Sequence, residues 1–211
     1  MRNGQVENVM AGKSVLLIID MQNELLDPKG KLYGQGFPRE FDRLVPNVRS
    51  LLAAARAMKV AAVFVYTAYH PSFVDASPLS PSRKSGSLVE GSWGVKIVAE
   101  IAPRETEVVI RKRRPSAFHE SPLDSVLRGL AAQSIFICGV ATNRAVESTA
   151  RDAFNRDYDV FIVADGCAAR SVAAHTASLE SLGGFFGKVV AAVEVERMWE
   201  AGRQQAGGSR Q

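Results

Sequence analysis

Cysteine is scarce in this sequence of 211 residues: Cys138 and Cys167 are the two present, each closing an apolar run, and neither belongs to a disulfide framework. Both read as core residues. Histidine is nearly as rare, and His70, His119 and His175 lack the paired spacing of a metal-ligating set, so neither a metal nor a cofactor is expected. No apolar stretch approaches the roughly 20 residues that cross a bilayer. The opening residues are polar and lack the apolar centre of a secretory signal, which predicts a cytoplasmic protein with no membrane partner. A dominant charge is missing too. The 26 basic and 22 acidic residues leave a net charge of +4 spread along the chain, too little to point to nucleic acid. The densest basic run, Arg111-Lys112-Arg113-Arg114, directly follows the apolar run from Glu107 to Ile110 and reads as a strand end. Gly34-Gln35-Gly36 does not lie between a strand and a helix, so it is a pair of loop glycines and not a dinucleotide fingerprint.

What is present is a hydrophobic share of 46%, enough for one substantial core. The expectation is a single domain over 1–211, with its core at about 12–200 and flexible ends, the tail from Gly202 onward being frayed. Apolar runs rich in β-branched residues recur at Ser14 to Asp20, Val60 to Thr67, Glu107 to Arg111, Ser134 to Cys138, Val160 to Ala164 and Lys188 to Ala192. Helical segments separate them. That alternation predicts an α/β fold, a three-layer αβα sandwich around a six-stranded, mainly parallel, Rossmann-like sheet. In Leu44 to Lys59, the residues Leu44, Val48, Leu51, Leu52 and Ala55 share one helical face. Further helices are predicted from Ser121-Pro122, over Thr142 to Asn155, and over Ser171 to Leu182 with Gly183-Gly184 as its stop. Two long segments, Met21 to Phe41 and Ala68 to Ser92, break the pattern and are candidate walls of a pocket.

In such a sheet ligands bind beyond the carboxyl ends of the strands. Three strand ends carry suitable groups: Asp20 with Gln22 and Asn23, then Lys112, then the turn Gly139-Val140-Ala141-Thr142-Asn143. Taken singly these are unremarkable, since an aspartate at a strand end is commonly a cap, a lysine in a basic run is commonly solvated, and Ala145 is ordinary helix filler. Arg111 or Arg113 could also be the inward cation in place of Lys112.

Together they resemble the isochorismatase-like (cysteine hydrolase) family. Val15-Leu16-Leu17-Ile18-Ile19-Asp20-Met21-Gln22-Asn23 looks like that family's first strand with its aspartate. Lys112 followed by Ser116-Ala117-Phe118 is similar to its lysine segment, although Pro115 replaces the usual tyrosine. The stretch from Gly139 to Ala153 is similar throughout to its nucleophile turn, except that Ala145 stands where cysteine belongs.

The resemblance implies hydrolysis of a C–N bond in a small amide, ureido or carbamoyl compound through a thioester at residue 145. Asp20 is then the proton carrier, Lys112 its electrostatic partner, and the backbone of Val140, Ala141 and Ala145 the oxyanion hole, with a non-proline cis peptide between Val140 and Ala141. A thiol at position 145 would lie in the first turn of a helix, where unpaired N–H groups favour a thiolate. The substrate contacts implied are Gln22, Asn23, Trp93, Thr142 and Asn143. Gln22 and Asn23 equally suit closure of the turn, and Trp93, in Gly91-Ser92-Trp93-Gly94, equally suits packing beneath a loop. A homodimer or homotetramer is implied by the same resemblance. The branch is that of ureidoacrylate or biuret amidohydrolases, and selectivity among such substrates resides in the two long loops.

Alanine cannot attack a carbonyl. Three readings of Ala145 follow: a deliberate replacement of the cysteine in an otherwise intact hydrolase, a true isochorismatase that cleaves a vinyl ether with Asp20 and no thiol, or a binding protein without chemistry. Ser116-Ala117-Phe118-His119 with Ser121-Pro122-Leu123 resembles the isochorismatases, whereas Ala141 and Asn143 stand where those carry an aromatic residue and a histidine.

Overall fold

In the computed structural model, residues 13–33 and 41–208 are described, with side chains to residue 204. The apolar runs form β1 (Ser14–Ile19), β2 (Ala61–Thr67), β3 (Val108–Lys112), β4 (Ser134–Val140), β5 (Asp159–Ala168) and β6 (Lys188–Val190). They make one sheet in the order β3-β2-β1-β4-β5-β6, and each neighbouring pair is parallel. Alternate residues of a strand point to opposite faces. In β1, Leu16 and Ile18 therefore join one core cluster while Val15, Leu17 and Ile19 join the other. A strand buried on both faces has to be apolar at every position, which is why β1 and β4 read as unbroken runs.

Helices cover both faces and complete the three layers. On one side lie α2 (Leu44–Met58) and α7 (Ala192–Gly208). The buried residues of α2 are Leu44, Val48, Leu51, Leu52 and Ala55, the face that their spacing predicts. From α7, the fully buried Trp199 sets its ring edge against Phe136 at 5.1 Å, and Phe136 in turn stacks on Phe161 at 4.5 Å. On the other side lie α4 (Leu123–Gly129), α5 (Glu147–Phe154) and α6 (Val172–Ser181), which contribute Leu123, Leu127, Ala150 and Ala153 and, partly buried, Leu179.

Several boundaries differ from the expectation. The tail does not fray at Gly202, because α7, anchored by Val195 and Trp199, continues to Gly208. Gly183-Gly184 does not stop α6. Neither glycine adopts the positive φ of a helix-ending residue, and the chain runs on as a wide turn over Leu182–Phe186 that buries Leu182. The segment from Thr142 begins with a similarly wide turn, Thr142–Val146, before α5. Before α4, Ser121 Oγ accepts the Leu123 N–H at 3.1 Å, and the helix proper begins one residue later than expected. The loop predicted after β1 contains the short α1 (Asn23–Leu26), and the loop after β2 contains α3 (Pro81–Ser85). The loop glycines Gly34 and Gly36 lie outside the described residues.

The strand order reverses between β1 and β4, and crossovers that depart in opposite directions leave a crevice there. Gly139 is what permits the two strands to close up at that point. It pairs in register with Ile19, has φ +117, and a Cβ there would stand 2.0 Å from the Ile19 carbonyl oxygen.

Candidate active site

Three adjacent strands deliver one polar cluster to the rim of this crevice. Asp20 follows β1 with φ +53, a left-handed conformation that aspartate tolerates better than most residues, and its N–H donates to Val65 O at 2.8 Å. Lys112 ends β3 directly beside Thr67 of β2. Its ammonium donates to Asp20 Oδ2 at 2.8 Å, to Thr67 Oγ1 at 2.9 Å and to Arg114 O at 3.1 Å. Thr67 Oγ1 donates to Asp20 Oδ1 at 3.0 Å. All three residues are buried, Lys112 with 3% and Asp20 with 6% of their surface exposed. Removing one partner of such a pair leaves an uncompensated charge, at a cost of about 3 to 5 kcal/mol. Of the cations in the basic run, Lys112 is the one that meets Asp20. Arg111 instead meets Ala68 O, Asp75 and Glu90, and Arg113 meets Asp75, as the alternation along β3 requires.

Across the crevice, the Val140–Ala141 peptide at the end of β4 is cis. The wide turn that follows hangs from Ala141 O, which accepts the N–H groups of Arg144 at 3.0 Å and Val146 at 3.3 Å. Ala145 is 4% exposed, and its carbonyl accepts the hydroxyl of Thr149 at 2.6 Å. Thr149 also accepts the Ala117 N–H at 3.0 Å, and Ser116 Oγ donates to Asp152 at 2.5 Å, so the segment after Lys112 is tied to α5 at two points.

Asp20, Thr67, Lys112, Val140 and Ala141 line a cavity of about 170 Å³. That is below the roughly 300 Å³ where drug-sized pockets begin, and it suits a small molecule. Arg114, Arg144 and Arg170 line the same cavity, as does Tyr69. Burial, helped by the neighbouring charge of Arg144, lowers the pKa of Arg170 from its ordinary value. Burial raises that of the Tyr69 phenol. No sequence motif marks Thr67, Tyr69 or Arg170, while Arg114 and Arg144 lie within the basic run and the Gly139 to Ala153 motif without standing out there as cavity residues; Thr67 is visible in the sequence only as the last residue of an apolar run.

The remaining predicted contacts, and Ala145, are not among the residues that line this cavity. Gln22 is wholly buried: its side-chain amide accepts the Thr67 N–H and donates to Thr67 O and Val95 O, each at 2.9 Å. Asn23 donates to the carbonyl of Trp93 at 3.1 Å. Glu24 accepts the Lys31 N–H at 2.6 Å and the Leu88 N–H at 3.4 Å. These three residues stitch together the two loops that the sequence picked out as walls. Trp93 lies 44% exposed on that seam and is not among the residues that line the cavity. Thr142 is buried with its hydroxyl 2.8 Å from His175 Nδ1, while Asn143 faces solvent. Among the described residues no group of three or more histidine, cysteine, aspartate or glutamate side chains is placed to hold a metal, and no helix is long and apolar enough to cross a membrane.

Comparison with known proteins adds relatives to this geometry. Residues 14–194 match the isochorismatase domain family. A ureidoacrylate amidohydrolase from Methylobacterium radiotolerans is 33% identical over 199 residues, covering 85% of this chain and 77% of that protein. A second ureidoacrylate amidohydrolase, from Pseudomonas syringae pv. syringae, is 33% identical over 84% of this chain and 80% of its own length. Among solved structures, a cysteine hydrolase from Pseudomonas syringae pv. phaseolicola superposes with a TM-score of 0.86 at 28% identity, covering 96% of this chain and all of that one.

Proposed function

The chain belongs to the isochorismatase family, and from that premise we propose that it carries the framework of an amidohydrolase for a small amide, ureido or carbamoyl compound, with Ala145 in the position of the nucleophilic cysteine. The observation that carries this reading is the buried Lys112–Asp20 pair, 2.8 Å apart, facing the same cavity as the cis Val140–Ala141 turn. A proton carrier on one wall and a turn of backbone N–H groups on the other are what acyl transfer requires. The amidohydrolase relatives support a C–N bond as the one cleaved.

In the active form a thiol at position 145 gives its proton to Asp20 while its sulfur adds to the substrate carbonyl carbon, and the displaced electron pair moves onto oxygen. Backbone N–H groups of the turn from Val140 to Ala145 stabilise that oxyanion. Collapse expels the amine, which takes the proton from Asp20, and leaves a thioester. Water then adds, giving a proton to Asp20. The second collapse releases the acid and returns the proton to the thiolate. Lys112 holds Asp20 in place throughout. With a methyl group at 145 the first step has no nucleophile, so this chain binds substrate without turning it over. Arg144 and Arg170 at the cavity support a substrate with an anionic end, a carboxylate being the simplest.

The test is Ala145→Cys, assayed for ammonia release from ureido, carbamoyl and amide compounds with and without a carboxylate. Turnover that appears with the thiol and disappears on adding Asp20→Asn upholds the reading. Absence of turnover across the panel, with vinyl ether cleavage of isochorismate by the unaltered chain, would replace it with the thiol-free reaction.

A further inference from the structure

Lys112 has three N–H groups, and the protein supplies three acceptors: Asp20 Oδ2 at 2.8 Å, Thr67 Oγ1 at 2.9 Å and Arg114 O at 3.1 Å. Saturated in this way, the ammonium acts on a bound substrate only through Asp20. The same contacts settle where the Thr67 hydroxyl proton lies. An ammonium cannot accept, so Thr67 Oγ1 receives from Lys112, and its own single proton goes to Asp20 Oδ1 at 3.0 Å. The two carboxylate oxygens of Asp20 are thereby held from different strands, Oδ2 by β3 and Oδ1 by β2, and the carboxylate plane cannot rotate without breaking a charge-assisted bond.

Thr67 is itself held unusually firmly. Its N–H and its carbonyl are both bound by the buried side-chain amide of Gln22, each at 2.9 Å. With the backbone fixed and a β-branched side chain stiff about χ1, the hydroxyl has one place to be. We infer that Gln22 and Thr67 form a positioning unit, in which Gln22 clamps the main chain of Thr67 and the Thr67 hydroxyl aims the Asp20 carboxylate at the atom carried by residue 145. Gln22 stands outside the cavity, and Thr67 acts through its hydrogen bond to Asp20, without itself exchanging a proton with the substrate. This rests on the amidohydrolase reading for what Asp20 does, but not for how Asp20 is held.

The experiment places Thr67→Val and Thr67→Ser separately on the Ala145→Cys background and reads kcat, KM, the rate of alkylation of the thiol by iodoacetamide, and the thermal midpoint. Cys138 and Cys167 are at most 1% exposed, so alkylation beyond that of the unaltered chain reports position 145. Thr67→Val is expected to lower kcat by about tenfold or more, with KM changed by less than about threefold, because a misaimed group costs rate more than binding. Alkylation is expected to slow in parallel. Thr67→Ser, which keeps the hydroxyl, restores both. A Thr67→Val chain that alkylates and turns over as fast as its parent overturns the inference, as does a Thr67→Ser chain no better than Thr67→Val. If Ala145→Cys turns over nothing, the amidohydrolase reading fails, and alkylation alone decides: slowed by valine and restored by serine upholds the unit, unchanged overturns it.

Discussion

Asp20 follows Ile19, the residue that pairs with Gly139 at the switch point, and both Asp20 and Gly139 carry positive φ. For Asp20 the left-handed backbone costs about 1 kcal/mol, which its bonds to Val65, Thr67 and Lys112 offset. For Gly139 no such compensation is open to a larger residue, because the obstacle is the backbone oxygen of Ile19 and not a movable side chain. Gly139→Ala is therefore expected to lose more than about 3 kcal/mol of stability, read as the shift in a urea midpoint. A loss below about 1 kcal/mol would mean that β1 and β4 separate easily at the crevice. At this scale the sequence was informative in proportion to local pattern. Asp20 and Lys112 stood out by their motifs, whereas Gln22 was read as either a substrate contact or a turn-closing residue, because nothing nearby in sequence reveals that its partner is Thr67, 45 positions away.

Among the elements, the basic run after β3 is the clearest case of a charge cluster with an internal purpose. Asp75, in the loop after β2, accepts from Arg111 at 2.9 Å and Arg113 at 3.0 Å, its other oxygen accepts the His70 N–H at 2.9 Å, and its carbonyl takes Arg114 at 2.8 Å. Burial pushes the Asp75 carboxyl up, but the backbone N–H groups and the two guanidinium charges outweigh it, and the pKa falls below its ordinary value. A carboxyl lowered by folding stabilises the fold above its unfolded pKa, about 3.9, and that stabilisation is lost as pH drops through the folded value. Asp75→Asn is accordingly expected to lower the thermal midpoint at pH 7 by a few degrees, and the gap between variant and parent should close below about pH 4. A gap that stays constant down to acid pH would remove the charge from the explanation. The elements themselves were legible where periodicity was strong, as in α2, and misjudged where a single residue type stood for a conformation. Gly183-Gly184 was read as a stop, yet glycine ends a helix only when the backbone turns left-handed, and packing of Leu182 kept the chain turning.

Over the whole molecule, the two clusters that sandwich the sheet leave the thiols sealed. Cys138 points to one cluster and Cys167 to the other, on neighbouring strands but opposite faces. Burial drives both thiols up, Cys167 to about 12. The folded chain is expected to be inert to an aromatic disulfide reagent, with both thiols reacting once it is denatured. Rapid reaction of either in the folded chain would show a core looser than described.

The sequence by itself determined which residues are buried along each strand and helix, since a period of two or of 3.6 fixes a face regardless of what that face meets. It also pointed to three strand ends, those with Asp20, with Lys112 and with the turn from Gly139 to Asn143, as the place for the chemistry. Only the tertiary structure decided what those groups touch. Asp20 and Lys112 are 92 positions apart, and Thr67 is 47 from one and 45 from the other, so their contacts depend on sheet order and register, which no local spacing encodes. For the same reason Thr67 passed for an ordinary strand residue until β1, β2 and β3 stood side by side.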